Sequence, residues 1–245
     1  MLGLDVYTMR ARLAPALLTA APALALGIAA LPLLPGAHKF WTLVALGLAT
    51  FASLVARAAG NRVQMALFDI WGGMPTTSRL RFADAKSTAE IQRRHNALEL
   101  VLGDVNMPSE PEESADPCAA DSEYEAAMKR IVARVRNSTE YPLLNQENRN
   151  YGFSRNLLGL KRMGVLIALG TAAISVGAFL LLGALSSWTA AMPLVLAIVV
   201  SVAALGLWPQ VGPDMVRPSA EAYADRIIDA VYALAEEAKG GSKRG

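Results

Sequence analysis

The chain has 245 residues, of which 53% are hydrophobic and 18% charged, and its formal net charge is +2. Charge is nearly absent from four apolar stretches and crowded between them, a pattern that excludes a large soluble core and points to membrane spans with a water-facing block. With 15 basic against 14 acidic residues between positions 57 and 162, no bulk field recruits nucleic acid; a single cysteine, Cys118, excludes an internal disulfide, and two histidines give no metal-ligand spacing.

Taken in chain order, residues 13–34, 40–59, 163–185 and 188–207 form the apolar stretches. Each holds about 20 residues, free of charge but for Arg57 near the end of the second, enough at 1.5 Å per residue to cross about 30 Å of hydrocarbon. The expectation is an all-α integral membrane protein with four transmembrane helices in two hairpins and a helical cytoplasmic domain. Its divisions are an N-terminal segment with the first hairpin (1–59), the cytoplasmic domain (60–162), the second hairpin (163–208), and a C-terminal amphipathic helix with a tail (209–245). Arg10 and Arg12 precede the first run as in a secretory signal, but the run exceeds a usual apolar region and a second span follows at once, so the segment is expected to stay as a helix. Pro15, Pro22 and Pro32 predict a bent first span. Arg10, Arg12, Arg57, Arg62, Arg149, Arg155, Lys161, Arg162 and Arg217 flank one side, while the opposite turns, 35–39 and 186–187, offer only Lys39. This bias places both termini and the polar block in the cytoplasm, with Trp41, Trp188 and Trp208 at span ends.

The second span continues without a stop toward Phe68, predicting a projecting stalk that Gly72-Gly73-Met74-Pro75 breaks. Ser87 and Glu90 read as a capping box opening a helix with Ile91, Leu98, Val101 and Leu102 at helical spacing, ending at Gly103. Residues 105–117, acidic and proline-rich, read as a mobile loop. A second helix over 119–137 places Tyr124, Met128, Ile131, Val132 and Val135 inward. Pro209, Pro213 and Pro218 predict an extended turn, after which Ser219 opens a final helix running to Gly240, with 241–245 a frayed tail. Its apolar stripe of Ala220, Ala224, Ile227, Ile228, Val231 and Ala235 needs a partner, either the polar block of the same chain or the same helix of another subunit. Acidic residues on its polar face argue against a place on the membrane surface.

The span interiors hold no ionisable residue, which disfavours a pump or ion-coupled transporter. On the third span Gly164, Ala168, Thr171, Ala172 and Ser175 share a stripe, and Ala173 with Gly177 forms a small-xxx-small pair. Such a face serves helix packing within one subunit or, in an oligomer, lines a pore wetted by Thr19, Thr42, Thr50, Ser53 and Ser201. Two juxtamembrane segments supply candidate ligand-binding residues: Arg79 and Arg81 in the first; Asn148, Arg149, Tyr151, Phe153 and Arg155 in the second. Arginine forks suit phosphate and aromatic rings stack on a base, so a nucleotide or oligonucleotide on the cytoplasmic side fits them. The plainer account has the aromatics anchoring the interface, the arginines obeying the positive-inside preference and Ser154 capping the third span. No nucleophile pairs with His95, and the glycines match no phosphate loop, so neither enzyme nor cofactor is expected.

Asp5, Tyr7, Arg10, Ala11, Arg12, Leu13 and Pro15, the stretch from Gly72-Gly73 to Arg81, and the run Glu147-Asn148 through Tyr151-Gly152-Phe153, Arg155-Asn156-Leu157 and Gly159-Leu160-Lys161 carry a resemblance. They resemble a family of uncharacterised bacterial four-span proteins. The layout also resembles membrane effectors of anti-phage systems, such as the channel effector paired with a nucleotidyltransferase in Hailong-type defence. The resemblance implies an oligomeric inner-membrane channel, gated by a nucleotide-derived ligand, whose opening depolarises an infected cell. The expected assembly is a homo-oligomer, taken as a tetramer, in the lipid bilayer. The competing expectation is a membrane-anchored scaffold or sensor that docks a soluble cytoplasmic partner.

Overall fold

The structure is a computed structural model that describes residues 5–30, 38–136, 138–183 and 188–242; the side chains at 29–49, 182–190 and 241–242 lie outside the description. The fold is all-helical, with 86% helix and no strand among the described residues. A π-helical stretch, Thr8–Leu13, leads into α1 (Ala14–Ala30), followed by α2 (His38–Trp71), α3 (Pro75–Ser78), α4 (Thr88–Leu102), α5 (Glu110–Ala115), α6 (Pro117–Val135), α7 (Pro142–Gly183), α8 (Trp188–Leu207) and α9 (Pro213–Ser242). Among the described residues, three segments are long and apolar enough to cross a membrane: Thr8–Ile28, Pro142–Leu181 and Ala191–Gln210. The remaining expected span, 40–59, lies within the 34-residue α2, whose first twelve side chains are outside the described set. Also outside it are residues 35–37, 186–187 and 243–245, and the side chains of Lys39, Trp41, Thr42 and Trp188.

The chain packs as two compact units, one of Met1–Met65 with Arg149–Val216, the other of Ala66–Asn148 with Arg217–Gly245.

In the first unit the usual partition of side chains is reversed. Much of its interior is small or hydroxylated, with Ala16, Ala56, Ala168, Ala197, Thr19, Ser53, Thr171, Ser175 and Ser201 buried beside a few larger side chains, Tyr151, Leu157, Leu160, Trp208 and Val211. Many of its large apolar side chains point away, with Phe51 65% exposed, Leu166 69%, Leu181 75% and Val202 59%. Water would penalise such a surface at about 25 cal/mol per Å², whereas lipid tails do not. Small inner residues let backbones close in: an added Cβ on Gly159 would strike the backbone of Ala59 and Gly60, and one on Gly164 the ring of Trp208. Two of the buried hydroxyls are satisfied inside their own helices, Thr19 Oγ1 donating to the Pro15 carbonyl at 2.8 Å and Ser201 Oγ to that of Ala197 at 2.7 Å, whereas Ser175 Oγ has no partner among the described residues.

In the second unit the partition is that of a protein folded in water. Leu98, Tyr124, Met128, Ile131, Ile227 and Val231 form one buried core from α4, α6 and α9. The apolar stripe of α9 is thus covered by the polar block of its own chain.

Several local expectations are corrected. Ser87 caps α4 by position only, without a side-chain bond, because Glu90 turns to Arg94 instead. A capping box forms at Ser109 and Glu112, opening α5 within the segment read as a mobile loop. Helix α6 opens two residues earlier than read, with the Asp116 carboxylate accepting the Ala119 N–H at 3.0 Å. Helix α9 starts at Pro213, whose missing N–H costs nothing in a first turn, and Pro218 lies within the helix at an exposed position. Ser154 does not cap the third span: α7 runs unbroken from Pro142, and the Ser154 hydroxyl donates to the Tyr151 carbonyl at 3.2 Å.

Candidate functional site

The most elaborate polar arrangement lies in the second unit, on the segment 79–83 that follows the glycine turn. Helix α2 is closed by Gly72 and Gly73, both at positive φ (75° and 134°), with the Gly73 N–H reaching back to the Phe68 carbonyl at 2.8 Å. Gly73 has a second reason to lack a side chain: a Cβ there would stand 2.6 Å from Arg81 Nη2. The turn is therefore moulded around a guanidinium.

That guanidinium is fully engaged. Arg81 donates from Nε and Nη2 to the two carboxylate oxygens of Asp121 at 2.7 and 2.6 Å, and from Nη1 to the Gly72 carbonyl at 2.8 Å and to Asp84 at 3.3 Å. Arg79 makes a second fork, to Asp225 of α9, at 2.5 and 3.2 Å. These hydrogen bonds raise both arginines above their ordinary pKa, Asp121 acting on Arg81 and Asp225 on Arg79.

The backbone of the same segment is held from two helices, α4 and α5, with α6 supporting the second. Arg94 donates to the Arg79 carbonyl at 2.6 Å, and His95 Nε2 lies 2.8 Å from the Leu80 carbonyl. The buried carboxylate of Glu113 accepts the Phe82 and Ala83 N–H groups at 2.9 and 3.0 Å and the Tyr124 hydroxyl at 2.7 Å. Tyr124 is pushed well above the ordinary phenol range, by burial first and then by this bond. His95, flanked by the Phe82 and Tyr124 rings with centroids 5.1 and 5.2 Å away, is pushed down by burial. Helices α4, α5, α6 and α9 thus all converge on five residues. Beside this hub a small solvent-open pocket of about 50 Å³ is lined by Trp71, Gly73, Ser78, Arg79 and Arg217 among others. Both of its cations have carboxylate partners, Arg217 being paired with Glu221 at 2.7 Å.

The other candidate ligand residues sit on α7. Asn148, at the edge of the second unit, and Arg149, in the first, are half-buried. Tyr151 is buried under the Arg155 guanidinium, 5.4 Å from its ring centroid, and Arg155 also donates to Gln64 of α2. Phe153 packs against the cluster of Leu157, Trp208 and Val211. Neighbouring Asn156, which the sequence did not single out, is 1% exposed and donates to the Ala11 carbonyl at 2.6 Å. The stripe of Gly164, Ala168, Thr171 and Ser175 is buried within the first unit, with Ala172 at its margin, so it faces the chain's own helices.

Sequence reading gave no role to Glu113 or Gly60, and it did not find the contacts that Asp121, Asp225, Asn156, Gly152 and Gly159 make. Only Glu113 had a usable signal nearby, the spacing of Ser109 and Glu112. No group of His, Cys, Asp and Glu among the described residues is placed to hold a metal ion. No family model matches the chain, and neither the curated proteins nor the solved structures contain a match. The class these features define is an all-helical protein with a lipid-type helical unit joined to a water-type helical unit.

Proposed function

We propose that the chain is a four-span protein of the bacterial inner membrane, with its second unit and both termini in the cytoplasm, that assembles with copies of itself into a channel gated through the cytoplasmic helices. The observation that carries the assembly is the outer face of α7. Gly170, Ala173 and Gly177 point away from the chain's own interior, and a Cβ added to Gly170 or Gly177 would meet nothing within 4 Å. In lipid such a face admits another helix closely. Because small side chains fill the interior of one copy, ions would pass between copies rather than through one. An anionic ligand would reach Arg79 only by displacing Asp225, so binding and the tether of α9 compete, which is the differential affinity that gating requires. Leucine at Gly170 and Gly177 should abolish both the oligomer in native mass spectrometry and current in planar bilayers. An unchanged oligomer with unchanged current would overturn the proposal.

A second reading, a membrane-anchored scaffold that docks a soluble partner, is favoured by the closed ion pairs at Arg79 and Arg81, which leave these cations already neutralised. Expression with a membrane-potential dye separates the two: depolarisation supports the channel, and a silent membrane supports the scaffold.

A further inference from the structure

We propose that the first unit carries a belt of arginines that takes the headgroups of anionic phospholipids, and that these lipids stabilise the protein; the inference rests on the membrane reading above. The unit holds nine basic residues against two acidic ones, Asp5 and Asp214. Asp5 is already occupied, accepting the Thr8 N–H at 2.7 Å.

The height of the cations follows from two sets of contacts. Asn156 bonds Ala11 and fills the space beside Gly60, which brings residues 11, 60 and 156 to one level. Leu160 packs with Ala16 and Ala56 at a level four residues along α7, about 6 Å away at 1.5 Å rise per residue. Arg10, Arg57, Arg62 and Arg162 each lie one or two residues from a member of these sets, so all four fall in a band about 12 Å deep.

All four are exposed, and none makes an ion pair among the described residues. They come from the π-helical stretch, α2 and α7, so they surround the bundle instead of forming a single patch. Just beyond the band the outward residues become Leu17, Leu18, Phe51, Leu54, Leu166 and Leu169. A ring of unpaired guanidinium groups directly below an apolar surface matches the depth of lipid phosphates, and its fork geometry suits them. Zwitterionic headgroups offer the same phosphate with a cation attached, so the belt should discriminate by net charge.

The test uses the full chain in a non-ionic detergent doped with phosphatidylglycerol or phosphatidylcholine, with unfolding followed through its four tryptophans. Phosphatidylglycerol should raise the midpoint by about 5 °C over phosphatidylcholine. R10Q/R57Q/R62Q/R162Q should abolish that difference, while R93Q/R136Q in the second unit should keep it. Should the quadruple variant fail to insert, R57Q/R162Q is expected to lose about half of the difference. Equal midpoints for the native chain in the two lipids would overturn the belt. Failure of the underlying membrane reading is a separate result: the chain would then leave the membrane pellet on alkaline carbonate extraction.

Discussion

Arg81 and Asp121 meet fork to fork, both carboxylate oxygens accepting from the guanidinium at 2.6 and 2.7 Å, across 40 residues of sequence. The pair joins the glycine turn to α6 in a partly buried setting, with side-chain exposures of 18% and 37%. Charge-assisted forks of this kind contribute about 1 to 3 kcal/mol. A double-mutant cycle with Arg81→Gln and Asp121→Asn, read as thermal midpoints of the full chain, should give a coupling of about 1.5 kcal/mol. Arg81→Lys should recover little of it, since a lysine has no fork. Additive losses would show the contact to be incidental.

Glu113 organises more of the hub than any arginine, because its carboxylate receives three donors. Glu113→Gln keeps the shape but turns an amide toward backbone N–H groups, leaving a buried donor facing a donor. The expected loss is about 2 to 3 kcal/mol. Tyr124→Phe removes one bond only and should cost about 1 kcal/mol. A Glu113→Gln variant as stable as the parent would refute this account of segment 79–83.

His95 makes the second unit sensitive to acid. Burial lowers its pKa in the folded state, and the Leu80 carbonyl with the nearby acids Glu113 and Glu99 offsets this only in part. The unfolded imidazole takes up a proton at about pH 6.5, so below that value the unfolded chain binds more protons and stability falls with pH. Thermal midpoints should be level from pH 8 to about 7 and decline toward pH 5. His95→Asn should lower the plateau and reduce the slope; an unaltered slope would assign it to other groups.

The glycines of the first unit sort by what surrounds them. Gly159→Ala and Gly164→Ala put a methyl into backbone and into the Trp208 ring, and should cost about 1 to 3 kcal/mol each. Gly206→Ala enters open space and should leave the midpoint unchanged. Comparing the three in one detergent checks the packing directly, and equal effects would contradict it.

The helical periods of α6 and α9 were legible because their inner faces repeat at 3.6 residues, and the α9 stripe finds its partner in the chain's own α4 and α6. Helix α5 was hidden because its one buried residue, Glu113, looks like any other acid in a proline-rich acidic stretch. From the sequence Ser154 reads as a cap of the third span, yet Tyr151-Gly152-Phe153 lies inside α7, where glycine is required because a Cβ at 152 would crowd Ala11 and the Tyr7 hydroxyl. The carboxylates that occupy Arg79 and Arg81 lie 146 and 40 residues away, distances that no local pattern reveals. Those arginines therefore read as free cations from the sequence and are ion-paired in the fold.

The account turns on lipid surrounding the first unit and cytosol surrounding the second. Cys118, the chain's one cysteine, is exposed on the second unit and gives a direct probe. An impermeant maleimide should label it in inside-out membrane vesicles and leave it unlabelled in intact spheroplasts, with the protein staying in the pellet after carbonate washing. Labelling in spheroplasts, or recovery of the chain as a soluble monomer without detergent, would contradict it.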